Sequence, residues 1–294
     1  MVMSKTKRKK RKKLLILIVI IIILIYVTLN HISYRINNEF LAKLLIEETF
    51  KEKKESIIIK VVKKSFSSFN PTSILTKEKE NSKKEDIIKE EPPPKIYIYN
   101  THPTEEYKAS NILELSIQPN VIMNDYILKD IFDKKGYTTI VEPTSVRDIL
   151  NNNHWNYASS YKASRILLEQ SVINYPSLEY FIDVHRDSLE RDKTLIQIND
   201  KDYAKLLFIV GLENPTYQNN LAFTEKIHNK INEKYPNLSK GIYKKSGPGV
   251  NGVYNQDFNK NTILIEVGGY ENTTSEVLNS LLAFSECFME VINE

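Results

Sequence analysis

Apolar and polar positions divide the chain into four parts. Residues 14–29 are almost unbroken Leu, Ile and Val. A membrane-crossing helix needs ~20 such residues, and residues 30–32 extend the run towards that length. In residues 37–50, Phe40, Leu41, Leu44, Leu45 and Ile46 recur at near-helical spacing. Residues 57–62 read as a short strand or part of a small helical hairpin. Lys and Glu then dominate residues 76–91, and the stretch ends in Pro92, Pro93 and Pro94. That composition buries no core and predicts a solvated linker, stiffened at its end by polyproline geometry.

From residue 95 the pattern becomes that of a folded α/β unit. Strands are predicted at 95–99, 138–141, 180–184, 203–210 and 262–267, and helices at 121–135, 157–169, 220–234 and 275–291. Gly136 ends the first helix. Strand alternating with helix predicts a mainly parallel central sheet with helices on both faces. The expected organisation is a basic head at 1–13, a transmembrane anchor at 14–30, a stalk at 31–94 and one α/β domain at 95–294.

Charge refines this picture. Residues 1–13 hold eight Lys/Arg and no acid, so the chain's +4 against the head's +8 leaves −4 for the rest. No basic stripe remains outside the head, which argues against a nucleic-acid partner. A signal peptide has the same charged and apolar outline, but no Ala-x-Ala-like site follows, which favours a retained anchor. The positive-inside rule then leaves the head in the cytoplasm and the domain outside. Cys287 is the single cysteine and lies in an apolar helix pattern, so it reads as a buried thiol rather than a nucleophile.

Three of the predicted strands deliver metal-binding or acidic groups at their carboxyl ends. The first runs into His102 and Glu105, the next into His185 and the last into Glu266. Crevices in open α/β sheets lie outside those ends, and Zn2+ takes imidazole nitrogen and carboxylate oxygen with one position left open. Alone, either histidine would read as a structural residue at a strand end. His31, His154 and His228 have no such setting. Glu105 competes with Glu106, since one step of register changes which carboxylate points inward. Asp183 and Asp187 are weaker ligand candidates, better suited to orienting an imidazole, with Arg186 offsetting the local negative charge. Glu266 interrupts an apolar strand, so it must be paired, protonated or facing a site. There it suits general-base then general-acid work on an amide. Asn214, Asn255 and Gln256 fall in loops and could hold a sugar or peptide, although turn chemistry explains them equally. Gly268 and Gly269 fit either close substrate approach or a simple turn. A phosphate-binding loop and a Gly-x-Ser-x-Gly elbow are both absent.

These residues carry a resemblance. Asn100-Thr-His-Pro-Thr-Glu105, Asp183-Val-His-Arg-Asp-Ser188, Gly211-Leu-Glu-Asn-Pro215, Tyr254-Asn-Gln-Asp257 and Leu264-Ile-Glu-Val-Gly-Gly269 occur in the order seen in the stage II sporulation protein P family. The chain resembles that family from about residue 95 to its C-terminus. The resemblance implies a membrane-anchored zinc peptidoglycan hydrolase of forespore engulfment, with the fold of the zinc N-acetylmuramoyl amidases. It implies N-acetylmuramoyl-L-alanine amidase action, with endopeptidase action on peptide cross-links. The implied zinc ligands are His102, Glu105 and His185, and the implied partners are peptidoglycan, a septal lytic transglycosylase and a membrane scaffold. The family commonly has His-Thr-His at the first site, where this chain has Asn100 before Thr101 and His102. Two other readings use the same residues: a zinc carboxypeptidase-like peptidase, which needs an Arg clamp from Arg147, Arg165, Arg186 or Arg191, and a non-catalytic wall-binding scaffold.

Overall fold

The structure is a computed structural model that describes residues 92–108 and 119–294, together with Glu39 and Ala42. The head at 1–13, the anchor at 14–30 and the remainder of the stalk through residue 91 lie outside the described residues. In chain order the elements are β1 (Ile96–Tyr99), α1 (Val121–Lys134), β2 (Thr139–Val141), α2 (Val146–Asn152) and α3 (Ser160–Asn174), the last entered through a 3-10 turn at Tyr157–Ser159. They continue with β3 (Tyr180–Asp187), α4 (Arg191–Thr194), β4 (Leu195–Ile198), β5 (Lys201–Ala204) and β6 (Leu206–Gly211). The last are α5 (Tyr217–Lys234), β7 (Ser239–Lys245), β8 (Thr262–Gly269) and α6 (Thr274–Asn293).

Six strands form one sheet in the order β2-β1-β3-β8-β6-β7, and β4 pairs with β5 apart from it. The first four run parallel, β6 lies antiparallel to β8, and β7 is parallel to β6. The sheet is therefore mixed and mostly parallel, where the sequence pattern suggested parallel pairing alone. Its seam has a topological cause. After β3 the chain enters α4 and the β4–β5 hairpin instead of a crossover helix, so β6 starts from the end where β3 stops. A strand entered that way runs back antiparallel. The predicted strand at 203–210 is accordingly two strands, divided at Lys205.

Side-chain alternation decides what each face carries. Ile96 and Ile98 of β1, Ile182 and Val184 of β3, and Ile263 and Ile265 of β8 pack into the main core under α1, α5 and α6. The intervening Tyr97, Tyr99 and Phe181 point the other way and meet Leu168 of α3. Leu264 of β8 joins Leu207 and Ile209 of β6 and Tyr254 on that same face. Asp183, His185 and Glu266 share the parity of this second set, so all three emerge on the α3 side. On β3 and β8, in parallel register, His185 stands directly beside Glu266.

The end of β8 is fastened to α6. The Asn272 Oδ1 accepts from the Gly269 N–H at 2.7 Å and from Thr194 Oγ1 at 2.7 Å. A Cβ on Gly269 would stand 2.0 Å from the Leu189 carbonyl oxygen, so the close approach at this glycine is to protein backbone. Thr273 and Glu276 form a capping box on α6. Glu276 also accepts from Arg191 at 2.6 Å and from Asn272 at 2.8 Å. Burial works against its carboxylate, but Arg191, Asn272 and the Thr273 N–H outweigh it and hold its pKa below the ordinary 4.5. A depressed carboxylate stabilises the fold above its unfolded pKa, and the contribution disappears as pH falls through the folded value. Glu276→Gln should therefore cost about 1–3 kcal/mol at neutral pH. The gap in urea midpoint between variant and wild type should close well below pH 4.5; an undiminished gap in acid would show that the charge is irrelevant.

Candidate metal centre

His102 and Glu105 sit in the loop that leaves β1. The Glu105 N–H donates to the His102 carbonyl at 3.2 Å, and this tight turn sends both side chains the same way. Glu106, one step on, is exposed and bridges to Asn120 through its backbone, so Glu105 is the inward carboxylate. His185 is buried on β3. One donor atom from each of His102, Glu105 and His185 lies within 4.8 Å of the other two.

The spacing is that of atoms around an ion. Glu105 Oε1 is 3.6 Å from His102 Nδ1, and Oε2 is 3.5 Å from His185 Nδ1. Both are long for hydrogen bonds, yet close to the ~3.3 Å between neighbouring donors on tetrahedral zinc. The set of two imidazoles and one carboxylate is also a zinc set that leaves one position open. The residues therefore fit the ion that the pattern implies.

Asp183 supports the centre from beneath. It accepts from the Thr101 N–H at 2.8 Å and from Thr101 Oγ1 at 2.6 Å. His185 Nε2 approaches Asp183 Oδ1 at 3.0 Å. That approach is off the line of a good N–H···O bond, since Nε2 is buried with no aligned partner among the described residues. We read it as a charge contact that leaves Nδ1 for the metal side. Burial opposes an imidazolium at His185, but Asp183 and then Glu105 overcome it and raise its pKa well above the ordinary value. Burial likewise opposes the Glu105 carboxylate, but its contacts with His102 and His185 hold it down to about 2.

Around this trio the remaining residues fall into place. The Arg186 N–H donates to Glu105 Oε2 at 2.9 Å, while its guanidinium is spent on the backbone carbonyls of Glu106 and Asp187. Asp187 pairs with Lys240 at 3.2 Å and lies outside the trio. Glu266 does too, but its neighbour in register is His185. Burial, followed by repulsion from Asp187, lifts its pKa to about 7 against the opposing pull of His185 and Lys245. Asn100 donates to Asp125 Oδ1 at 3.2 Å and to the Val184 carbonyl at 2.9 Å. It braces β1 against α1 and β3, so its departure from histidine does not alter the trio.

The three loop amides are engaged within the fold. Asn214 accepts from the Thr216 N–H at 2.9 Å and donates to Asn220 at 3.0 Å. Gln256 accepts from the Gly211 N–H at 2.9 Å and donates to the Ile209 carbonyl at 2.7 Å. Asn255 Nδ2 bridges the Tyr161 carbonyl and Ser164 Oγ, both at 2.9 Å. Two aromatics that sequence reasoning left without a role border the trio. Tyr157 stacks on His102 at 4.8 Å, and Tyr161 meets the same ring edge-on at 5.7 Å. Their signal in the sequence was only two tyrosines four residues apart at a helix start.

Removal of one imidazole leaves Zn2+ with too few protein ligands. His102→Ala and His185→Ala should each reduce stoichiometric zinc, measured by elemental analysis of the purified chain, to background. A His185→Ala chain that kept a full equivalent would take His185 out of the ligand set.

Known proteins place the chain. The family model for Stage II sporulation protein P (SpoIIP) matches residues 23–289. Stage II sporulation protein P of Bacillus subtilis (strain 168) is 33% identical over 204 residues, 67% of this chain and 50% of that protein. The chain thus spans about half the length of this curated relative. Among solved structures, the CwlD amidase from Clostridioides difficile in complex with the GerS lipoprotein matches with a TM-score of 0.45 at 12% identity, over 68% of this chain and 98% of that one. A metallo-carboxypeptidase from Burkholderia cenocepacia matches with a TM-score of 0.40 at 10% identity, over 69% and 57% of the two chains. With a family match over most of its length and this degree of identity, the chain belongs to the stage II sporulation protein P family.

Proposed function

We propose that the protein is a zinc-dependent peptidoglycan hydrolase. Its target is the amide between N-acetylmuramic acid and the L-alanine of the stem peptide, and the same site serves peptide cross-links. The observation that carries this reading is the convergence of His102, Glu105 and His185, with Glu266 beside His185 in register. When bound, Zn2+ polarises a carbonyl and lowers the pKa of water. Glu266 takes a proton from the attacking water and returns it to the leaving nitrogen. The water oxygen becomes part of the new carboxyl group, and the amide C–N bond breaks. A carboxylate lifted to about 7 by burial is suited to both halves of that exchange near neutral pH.

The arginines favour an amidase over a carboxypeptidase-like peptidase. Arg165 is held by Asp257 and Glu169, Arg191 by Glu276, and Arg186 by backbone carbonyls. None of these three is free to clamp a terminal carboxylate, and Arg147 is on the exposed surface. In this reading the protein remodels peptidoglycan during forespore engulfment, alongside a septal lytic transglycosylase and a membrane scaffold. In this reading residues 14–30 anchor the chain with the head in the cytoplasm, and the stalk gives the domain its reach.

Glu266→Gln keeps size and shape while removing the base. The chain should stay folded and zinc-loaded while the release of muramoyl-linked peptides from purified sacculi, followed by mass spectrometry, falls ~10²–10⁴-fold. Glu105→Gln should instead lose zinc. Exchanged phenotypes would reverse the roles of the two carboxylates. Topology has its own check: protease added to intact protoplasts should release the domain, and protection of the domain would overturn the orientation.

A further inference from the structure

We infer that Tyr161 is a further catalytic residue, whose phenol hydroxyl donates a hydrogen bond to the scissile carbonyl oxygen as that oxygen gains charge. The inference rests on the amide-hydrolase reading above. Tyr161 lies in the first turn of α3, and its ring spans the site from one functional element to the other. On one side it meets His102 edge-on at 5.7 Å. On the other it meets Tyr254 at 5.2 Å and packs against the cluster of Leu207, Ile209 and Leu264. Leu264 is two residues before Glu266 on the same face of β8, so the ring bridges the metal ligands and the base.

The hydroxyl bonds to no described residue. Some ring hydroxyls in the fold find partners: Tyr97 bonds to Glu142, Tyr107 to the Val267 carbonyl and Tyr235 to Glu286, whereas those of Tyr157 and Tyr254 beside the site bond to no described residue either. A half-buried hydroxyl without a protein partner is costly unless something else completes it. Tyr99 shares the lack of a partner, but it is shut off from solvent on β1, where no substrate reaches it. Tyr161 is only partly buried. A phenol is an O–H donor at neutral pH. It therefore adds a donor where the surrounding carboxylates supply only acceptors.

The role needs no proton transfer by the phenol. Water oxygen bonds to the carbonyl carbon, the C–N bond breaks, and the water proton travels through Glu266 to the departing nitrogen. Tyr161 keeps its proton throughout and is matched to the tetrahedral oxygen more closely than to the planar carbonyl.

The test is Tyr161→Phe in the full-length chain, which retains the ring contacts with His102 and Tyr254. Two readouts accompany activity: zinc stoichiometry, and calorimetric affinity for a soluble muramoyl peptide whose scissile amide is replaced by a tetrahedral phosphinate. The expected result is unchanged zinc, a kcat on the matching muramoyl peptide lower by ~10²–10³-fold with little change in KM, and phosphinate binding weaker by tenfold or more. Wild-type kcat and phosphinate affinity in the variant would overturn the inference, as would loss of zinc, which would make Tyr161 a support for the ligands. A zinc-loaded wild-type chain that hydrolyses no muramoyl peptide would overturn the underlying reading, and this inference with it.

Discussion

A carboxylate in the middle of a sheet survives only where donors meet it, and Asp183 has no exposure at all. Thr101 meets it twice, through its N–H and its hydroxyl, and His185 meets it from the same strand. Thr101 directly precedes His102, so satisfying Asp183 fixes where the loop after β1 leaves the sheet. His102 and Glu105 of that loop and the imidazole of β3 are thereby referred to one buried carboxylate. Losing the Thr101 hydroxyl would leave that buried carboxylate short of a donor, which is costlier than losing an exposed contact. The geometry of the centre is in this sense a by-product of solving a burial problem.

The same polar string reaches further. Thr101 Oγ1 lies 2.9 Å from Ser164 Oγ of α3, and Asn255 donates to that Ser164 oxygen at 2.9 Å. Asn255 holds a left-handed backbone at φ 54°, a conformation that asparagine tolerates better than most residues. The loop before β8 is therefore pinned to α3, and α3 to the loop that bears His102. Tyr161, one turn before Ser164, inherits its position over the site from these contacts.

What the sequence made legible was what alternation and strand ends dictate. The three strands ending near His102, His185 and Glu266 are apolar on both faces, so their burial and direction follow from pattern alone. The C-terminal helix was equally plain. Strand β7, with Gly241 and three lysines among its seven residues, gives almost no apolar signal. An edge strand pairing only with β6 needs none. The β4–β5 hairpin and short α2 were missed because few of their residues are buried. Glu105 could not be separated from Glu106 until the turn at His102 was seen. Asp183 carried the right suspicion but no partner, since its contact with Thr101 joins residues 82 positions apart. Asn214 and Gln256 show the converse: amides in loops look available for ligands until the backbone groups they satisfy are known.

The antiparallel seam has a chemical consequence beyond topology. In a wholly parallel sheet, only the ends of strands and the loops that follow them would border the carboxyl-edge crevice. Here β6 and β7 run the other way, so their first residues lie at that edge too. Lys240, second in β7, thus reaches Asp187 at the end of β3. Asp187 is, after burial, the leading cause that raises Glu266, so a lysine from a reversed strand partly offsets the charge bearing on Glu266. Lys245, at the far end of the same strand, pulls Glu266 the opposite way from Asp187. Strand direction therefore enters the protonation balance of Glu266 directly: the seam that breaks the parallel pattern also brings a cation to an edge otherwise crowded with carboxylates.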